Sequence, residues 1–150
     1  MDGLLFRMRV AVLWVAVAVA LVGSVALFVY EEGALEEMLA GMAEGEPLDD
    51  TALFMLTAFV LLPLVMVGVT LLLNDRLNRY VNVVVGSLLG LFGVFMGSGE
   101  LLAGEIHWHV WPTVLAIVFA FLIAGLGLIG LRQSSSPEGD QGRSRHGATV

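Results

Sequence analysis

The stretch VAVLWVAVAVALVGSVALFVY, residues 10–30, contains no charged side chain and is long enough to cross a lipid bilayer as one helix. Three further, mainly apolar runs of similar length follow at residues 52–73, 81–102 and 110–131. A transmembrane helix needs about 20 apolar residues, because the hydrocarbon core of a bilayer is about 30 Å thick. Lipid offers the backbone no hydrogen-bond partners, so apolar segments of this length form helices. The sequence therefore predicts an all-α integral membrane protein, an antiparallel four-helix bundle.

Composition favours the same class of protein. Hydrophobic residues make up 58% of the chain and charged residues only 14%, with a mean hydropathy of +0.91. Soluble domains carry about 25% charged residues, so the chain lies outside that class. Cysteine is absent, which excludes disulfides and thiolate chemistry, and no charged residue or histidine lies at a predicted helix centre. We therefore expect a protein that is not an enzyme, with no cofactor and no nucleic-acid partner.

The arginines predict how the helices are oriented. All seven basic residues are arginines, and four spans would place them on one side of the membrane: Arg7, Arg9, Arg76, Arg79, Arg132, Arg143 and Arg145. Ten of the 14 acidic residues fall in the segments on the opposite side. Since loops rich in arginine remain in the cytoplasm, the pattern predicts a multi-pass protein of the inner, cytoplasmic membrane. Arg7, Arg9, Arg76, Arg79 and Arg132 are the expected topology anchors, and both termini are expected inside.

The segments outside the helices divide the chain into a transmembrane domain, residues 1–132, and a tail, residues 133–150. The tail is rich in serine, glycine and charged residues. It has too little apolar surface for burial to offset the conformational entropy lost on folding. We expect it to be disordered in the cytoplasm. A cleavable signal peptide is an alternative interpretation of residues 1–26, but its apolar core would be only about 7–15 residues long. Between the first two spans, the spacing of apolar residues predicts a short amphipathic helix.

Small residues on the third predicted helix indicate where it packs. One face carries Asn82, Gly86, Gly90, Gly93 and Gly97, which include two GxxxG pairs. Small residues let membrane helices approach closely, so another helix is expected in this groove. Two predicted helices offer matching stripes of small residues: the fourth with Thr113, Ala116, Ala120, Ala124 and Gly127, and the first with Ala16, Ala20 and Gly23. The partner lies within the chain or across a dimer interface; we favour the first, and besides the lipid bilayer we expect a homo-oligomer or another membrane protein as the partner.

The stretch GSGELLAGEIHWHVWP, residues 97–112, is the one candidate for chemistry. Its possible ligands are Glu100, Glu105, His107 and His109, and two histidines with a carboxylate suit zinc. The alternative is the wet rim of a membrane helix, because Trp108 and Trp111 belong to an interfacial aromatic belt. Two functions follow: a structural or interaction module, which we favour, and a small transporter or metal-sensing protein that uses the outer Glu/His cluster.

A resemblance is visible at RLNRYVNVVVG, Arg76–Gly86. This run is similar to one that enters the third helix of a small family of prokaryotic four-helix membrane proteins, known only as a domain of unknown function. Trp14 and Pro63 also resemble family positions, and the similarity extends over residues 5–132. The family often carries polar residues in its first helix and just before the proline, where this chain is apolar. The resemblance implies the same architecture and no activity.

Overall fold

A computed structural model describes residues 3–43, 45–103 and 110–134 of the chain. Its elements are the helices α1 (Gly3–Phe28), α2 (Ala34–Leu39), α3 (Asp50–Leu72), α4 (Asp75–Ala103) and α5 (Val110–Ser134), and the strands β1 (Met42–Ala43) and β2 (Glu46–Pro47). Four of the helices, α1, α3, α4 and α5, are long and apolar enough to cross a membrane. The predicted all-α class with four such helices is confirmed.

The four long helices do not have the same bounds as the apolar runs. Helix α1 begins at Gly3 instead of residue 10, and α4 begins at Asp75 instead of residue 81. Backbone hydrogen bonding continues past the apolar part of each run, because polar side chains in the extra turns find partners on neighbouring helices. Helix α5 ends at Ser134, and the predicted tail beyond it lies outside the described residues.

The connection between α1 and α3 contains both an expected and an unexpected element. The predicted amphipathic helix is α2, but it ends at Leu39, and the chain then folds into the small β1–β2 hairpin with Met42 opposite Pro47. Gly41 and Gly45 have φ angles of 76° and 78°, a region that favours glycine. These two glycines end the helical segment and turn the hairpin, which a reading of apolar spacing alone did not predict.

The long helices pack as antiparallel neighbours. Helix α1 lies between α3 and α5, and α5 also packs along α4. Late in α1, the Ser24 hydroxyl is 2.8 Å from that of Thr113, which lies early in α5. Late in α5, Gly127 faces Val83 near the start of α4. The core between the helices consists of Phe6, Val10, Trp14, Val17, Leu21, Met66, Leu89, Ala116, Ala120 and Ile123.

The glycine face of α4 is covered by α5 of the same chain. A Cβ added to Gly86 would lie 2.8 Å from the Ala120 carbonyl oxygen, and one added to Gly93 would lie 2.6 Å from Cγ1 of Ile117. The two backbones therefore approach more closely than any residue larger than glycine allows. Gly90 meets the ring of Phe121 in the same way. Gly97 belongs to α4, but its surroundings lie outside the part of the chain that the structure describes.

Replacing Gly86 by alanine tests this close approach. The new Cβ would press on the backbone of α5, and we expect the free energy of unfolding to fall by about 1–3 kcal/mol, as is typical of overpacking. Gly125→Ala is the matched control, because Gly125 lies in α5 with no atom within 4 Å of an added Cβ. Thermal unfolding in detergent should show a lower Tm for Gly86→Ala and an unchanged or higher Tm for Gly125→Ala. Equal Tm values would contradict the packing.

Candidate functional site

Four side chains form a buried polar cluster at the end of the molecule where α3 stops and α4 begins. Thr70, Asn78 and Asn82 are the buried polar residues of the described chain, and each is 0% exposed, as is the neighbouring Trp14. Trp14 comes from α1 and Thr70 from α3, whereas Asn78 and Asn82 are one turn apart on α4. We call these four residues the polar cluster. It joins three helices at one place.

Asn82 is the centre of the cluster. Its side-chain oxygen accepts a hydrogen bond of 2.6 Å from the indole Nε1 of Trp14 and one of 3.2 Å from the hydroxyl of Thr70. Its Nδ2 donates to the backbone oxygen of Asn78 at 2.8 Å and to the Asn78 side-chain oxygen at 2.6 Å. An asparagine amide offers two acceptor sites and two N–H donors. All four are used here, so burial leaves no polar atom of this side chain unpaired.

The cluster also completes the end of α3. The last four carbonyls of a helix have no partner within it. Asn78 Nδ2 donates to the backbone oxygen of Thr70 at 3.0 Å, and Nη1 of Arg7 donates to that of Leu71 at 3.2 Å. Asn74 then starts the next helix, since its side-chain oxygen accepts the N–H of Leu77 at 3.0 Å, as an N-cap does. Side chains from α1 and α4 thus replace the missing helical hydrogen bonds.

Arg7 forms an ion pair at the rim of this region. Its Nε and Nη2 both donate to one carboxylate oxygen of Asp75, at 2.9 Å and 2.7 Å. The two side chains are 25% and 53% exposed, so water screens their attraction. Exposed pairs of this kind contribute about 0–1 kcal/mol to stability. The pair therefore fixes the position of α1 beside the α3–α4 turn more than it stabilises the fold.

Arg79 follows Asn78 of the cluster directly in α4. Its Nη1 donates to the backbone oxygen of Gly130 in α5, and its guanidinium carbon is 5.4 Å from the centre of the Phe6 ring. Both contacts suit a half-buried cation, since carbonyls at the end of a helix and aromatic faces are electronegative. Gly130 allows this placement, because a Cβ there would lie 3.1 Å from the arginine Nε. That Nε is buried and has no hydrogen-bond partner among the described residues.

The predicted zinc ligands cannot be placed. Glu105, His107 and His109 lie outside the described residues, and Glu100 belongs to α4 with its side chain likewise outside them. In the part of the chain that is described, no three His, Asp or Glu side chains are close enough to hold a metal ion. The zinc site stays a prediction.

The structure brings together residues that the sequence placed separately. Trp14 and Asn82 are 68 positions apart, and nothing in their spacing identifies them as a pair. The available signal was chemical: an indole N–H within an apolar run, and amides in the first turns of the next helix, all need partners when buried. Arg79 and Arg7 were both expected as topology anchors. Within the protein, Arg79 contacts α5 and Arg7 contacts Asp75.

Comparison with known proteins gives one match. The model of a family described as a family of unknown function, DUF6326, matches residues 6–130. No curated protein and no solved structure matches the chain. The resemblance to a family of unknown function is thereby confirmed. The matched span contains the four long helices almost entirely, together with every residue of the polar cluster.

Substituting Asn82 tests whether the cluster holds the helices together. Asn82→Leu removes the partner of the Trp14 indole N–H, of the Thr70 hydroxyl and of the Asn78 side-chain oxygen. Each polar group left buried and unpaired costs about 1–3 kcal/mol. We expect the free energy of unfolding to fall by at least that amount in a detergent titration. Trp14→Phe should lower it too, but the double variant should lose less than the sum, because both changes remove the same hydrogen bond.

Tyr80→Phe is the control, since it removes a hydroxyl from a side chain of α4 that is 49% exposed. Its free energy of unfolding should stay within about 0.5 kcal/mol of the parent value. If the effects of Trp14→Phe and Asn82→Leu simply added, the two side chains would not be coupled.

Proposed function

The chain belongs to a family of unknown function, DUF6326, and from its own structure we propose a multi-pass protein of the cytoplasmic membrane that serves as a structural or interaction module. In this proposal α1, α3, α4 and α5 form an antiparallel bundle that spans the bilayer. Both termini lie in the cytoplasm, and α2 with the hairpin lies outside. The exposed surface, the distribution of charge and the closed polar cluster each support a part of it.

The outward faces of the long helices support membrane insertion. Large apolar side chains are exposed on all four of them, among them Val12, Val19, Leu64, Leu88, Phe95, Leu115 and Ile129. Soluble monomers rarely expose an apolar patch of more than a few hundred square ångströms. Exposing apolar side chains to water costs free energy, whereas contact with lipid acyl chains does not. A bilayer is the environment in which the whole surface is satisfied.

The distribution of charge supports the orientation. The start of α1, the α3–α4 turn and the end of α5 lie at one end of the molecule, and the arginines Arg7, Arg9, Arg76, Arg79 and Arg132 are all there. We call this the basic end. Glu31, Glu36, Glu37 and Asp50 lie at the other end. Positively charged segments are retained on the cytoplasmic side, so the basic end is the inner one.

The closed polar cluster carries the choice of a module over a transporter. A transporter exposes polar groups to a cavity near the middle of the membrane, where the substrate replaces their water. Here Thr70, Asn78 and Asn82 are 0% exposed and form hydrogen bonds with one another and with Trp14. A saturated network of this kind holds helices in a fixed register and leaves none of these four side chains free to bind a substrate. A groove between α1 and α3 is lined by apolar side chains such as Val25 and Leu61.

Single cysteines test the orientation, and the chain contains no other cysteine to interfere. In intact cells, a membrane-impermeant maleimide should label Glu37→Cys, which lies in α2, and should not label Val150→Cys. After the membrane is permeabilised, both variants should react. Labelling of Val150→Cys in intact cells would overturn the proposed orientation.

Met66→Cys tests the dry interior. Met66 lies within α3 and is 3% exposed. We therefore expect that a small water-soluble thiol reagent does not modify this variant in proteoliposomes, even when the membrane has been made permeable so that the reagent reaches both faces of the protein. Glu37→Cys is the reactive control, and denaturation should make both variants react. Modification of Met66→Cys in the folded protein would reveal an aqueous path, and the transporter would then replace the module.

A further inference from the structure

Among the residues that the structure describes, the basic end contains more arginines than carboxylates. Five arginines, Arg7, Arg9, Arg76, Arg79 and Arg132, and one carboxylate, Asp75, lie there among the described residues. The Asp75 carboxylate is paired with Arg7, and one of its oxygens accepts both hydrogen bonds from that arginine. This excess of positive charge makes the basic end attractive to anions.

Arg79 has a fixed position, and the contacts that hold it compensate its charge only in part. The contact with the Gly130 carbonyl and the face of Phe6 hold the guanidinium in place. Gly130 is the one hydrogen-bond acceptor that the described residues provide for its five N–H groups. The carboxyl end of a helix such as α5 carries a partial charge of about −0.5, which offsets about half of the arginine charge.

We propose that Arg79 binds the phosphate group of an anionic phospholipid of the cytoplasmic leaflet. The inference rests on the proposed membrane orientation, which places the basic end at the level of the inner headgroups. Arg79 Nε is buried, so the N–H groups of Nη1 and Nη2 that do not face Gly130 would donate to the phosphate oxygens. Arginine matches phosphate geometry better than lysine does, because its planar fork can donate two parallel hydrogen bonds.

Charge complementarity selects this occupant. The inner leaflet is the anionic surface that a cytoplasmic basic end meets, and each arginine near it gains attraction within a Debye length. A zwitterionic lipid also has a phosphate, but its choline or amine cancels the charge that Arg79 needs. The competing occupant is the chain's own tail, whose carboxylates are Glu138 and Asp140. The experiment below therefore includes a variant in which both of these carboxylates are neutralised.

The test measures the Tm of the full-length protein in nanodiscs of phosphatidylcholine, with and without added phosphatidylglycerol. We expect phosphatidylglycerol to raise the Tm of the parent protein by about 2–4 °C. Arg79→Gln should lose this increment, and Arg79→Lys should retain part of it. The matched control is Arg76→Gln, an exposed arginine of the same helical turn, which should keep most of the increment. Native mass spectrometry counts bound phosphatidylglycerol directly, so its result does not depend on the stability of each variant. Of the variants, only Arg79→Gln should show fewer phosphatidylglycerol adducts than the parent protein.

Each other outcome overturns the proposal. Equal loss in Arg79→Gln and Arg76→Gln would mean that the lipid is attracted only by total charge. The same increment from inorganic phosphate in phosphatidylcholine nanodiscs would mean that a free anion, not a lipid, is bound. If Glu138→Gln/Asp140→Asn lowered the Tm in phosphatidylcholine as much as Arg79→Gln does, the tail would be the occupant. The cysteine labelling of the intact cell is independent of Arg79, so a wrong orientation and a wrong lipid site are distinguishable.

Discussion

The hydrogen bonds of Asn82 are the constraint on which the arrangement of the other helices depends. An asparagine buried among apolar helices must use both its oxygen sites and both its N–H groups, because no water is available to replace a lost partner. Trp14 can reach the asparagine oxygen from α1 only at one depth and one rotation of that helix. Thr70 imposes the same condition on α3. Three helices are thus set relative to one another by one amide, and α5 is added through the glycine face of α4.

Stability is consequently unequal along the helices. At the basic end, the polar cluster and the arginine contacts tie α1, α3, α4 and α5 together within a few turns. Toward the other end, α3 has much less cover: Leu53, Phe54, Met55 and Leu56 are all exposed, and a smaller share of α3 is buried than of the other three long helices. Local opening is easiest where buried contacts are fewest. Among the described residues, the amino-terminal half of α3 is therefore a part of the long helices with little buried contact to hold it.

The sequence was sufficient for the number of long helices and for the glycine face, and insufficient for the contacts between specific residues. Run length is a property of each segment alone, so four apolar runs predict four helices without any knowledge of neighbours. Gly86 and Gly93 share a face because helical spacing is fixed, and that too is local. The pairing of Trp14 with Asn82 depends on how segments 68 residues apart pack, and several partners were chemically acceptable. The hairpin was not predicted, because the apolar residues of this segment have helical spacing and only the positive φ angles of two glycines interrupt the helix.

The arginines illustrate how one residue type has two roles at two stages. Orientation is decided while the chain is inserted, when Arg7 and Asp75 have not yet met, and acidic residues contribute little to that decision. In the proposed orientation Arg7 therefore counts fully as an inner charge, although in the folded protein its charge is paired with Asp75 and one of its N–H groups completes α3. Arg79 differs from Arg7 in its partners after folding. They are a helix carbonyl and an aromatic face, and neither carries a full negative charge. An arginine that is paired after folding stabilises the protein, whereas one that stays partly uncompensated keeps an attraction for anions, and this difference follows from the neighbours of each residue and not from its place in the sequence.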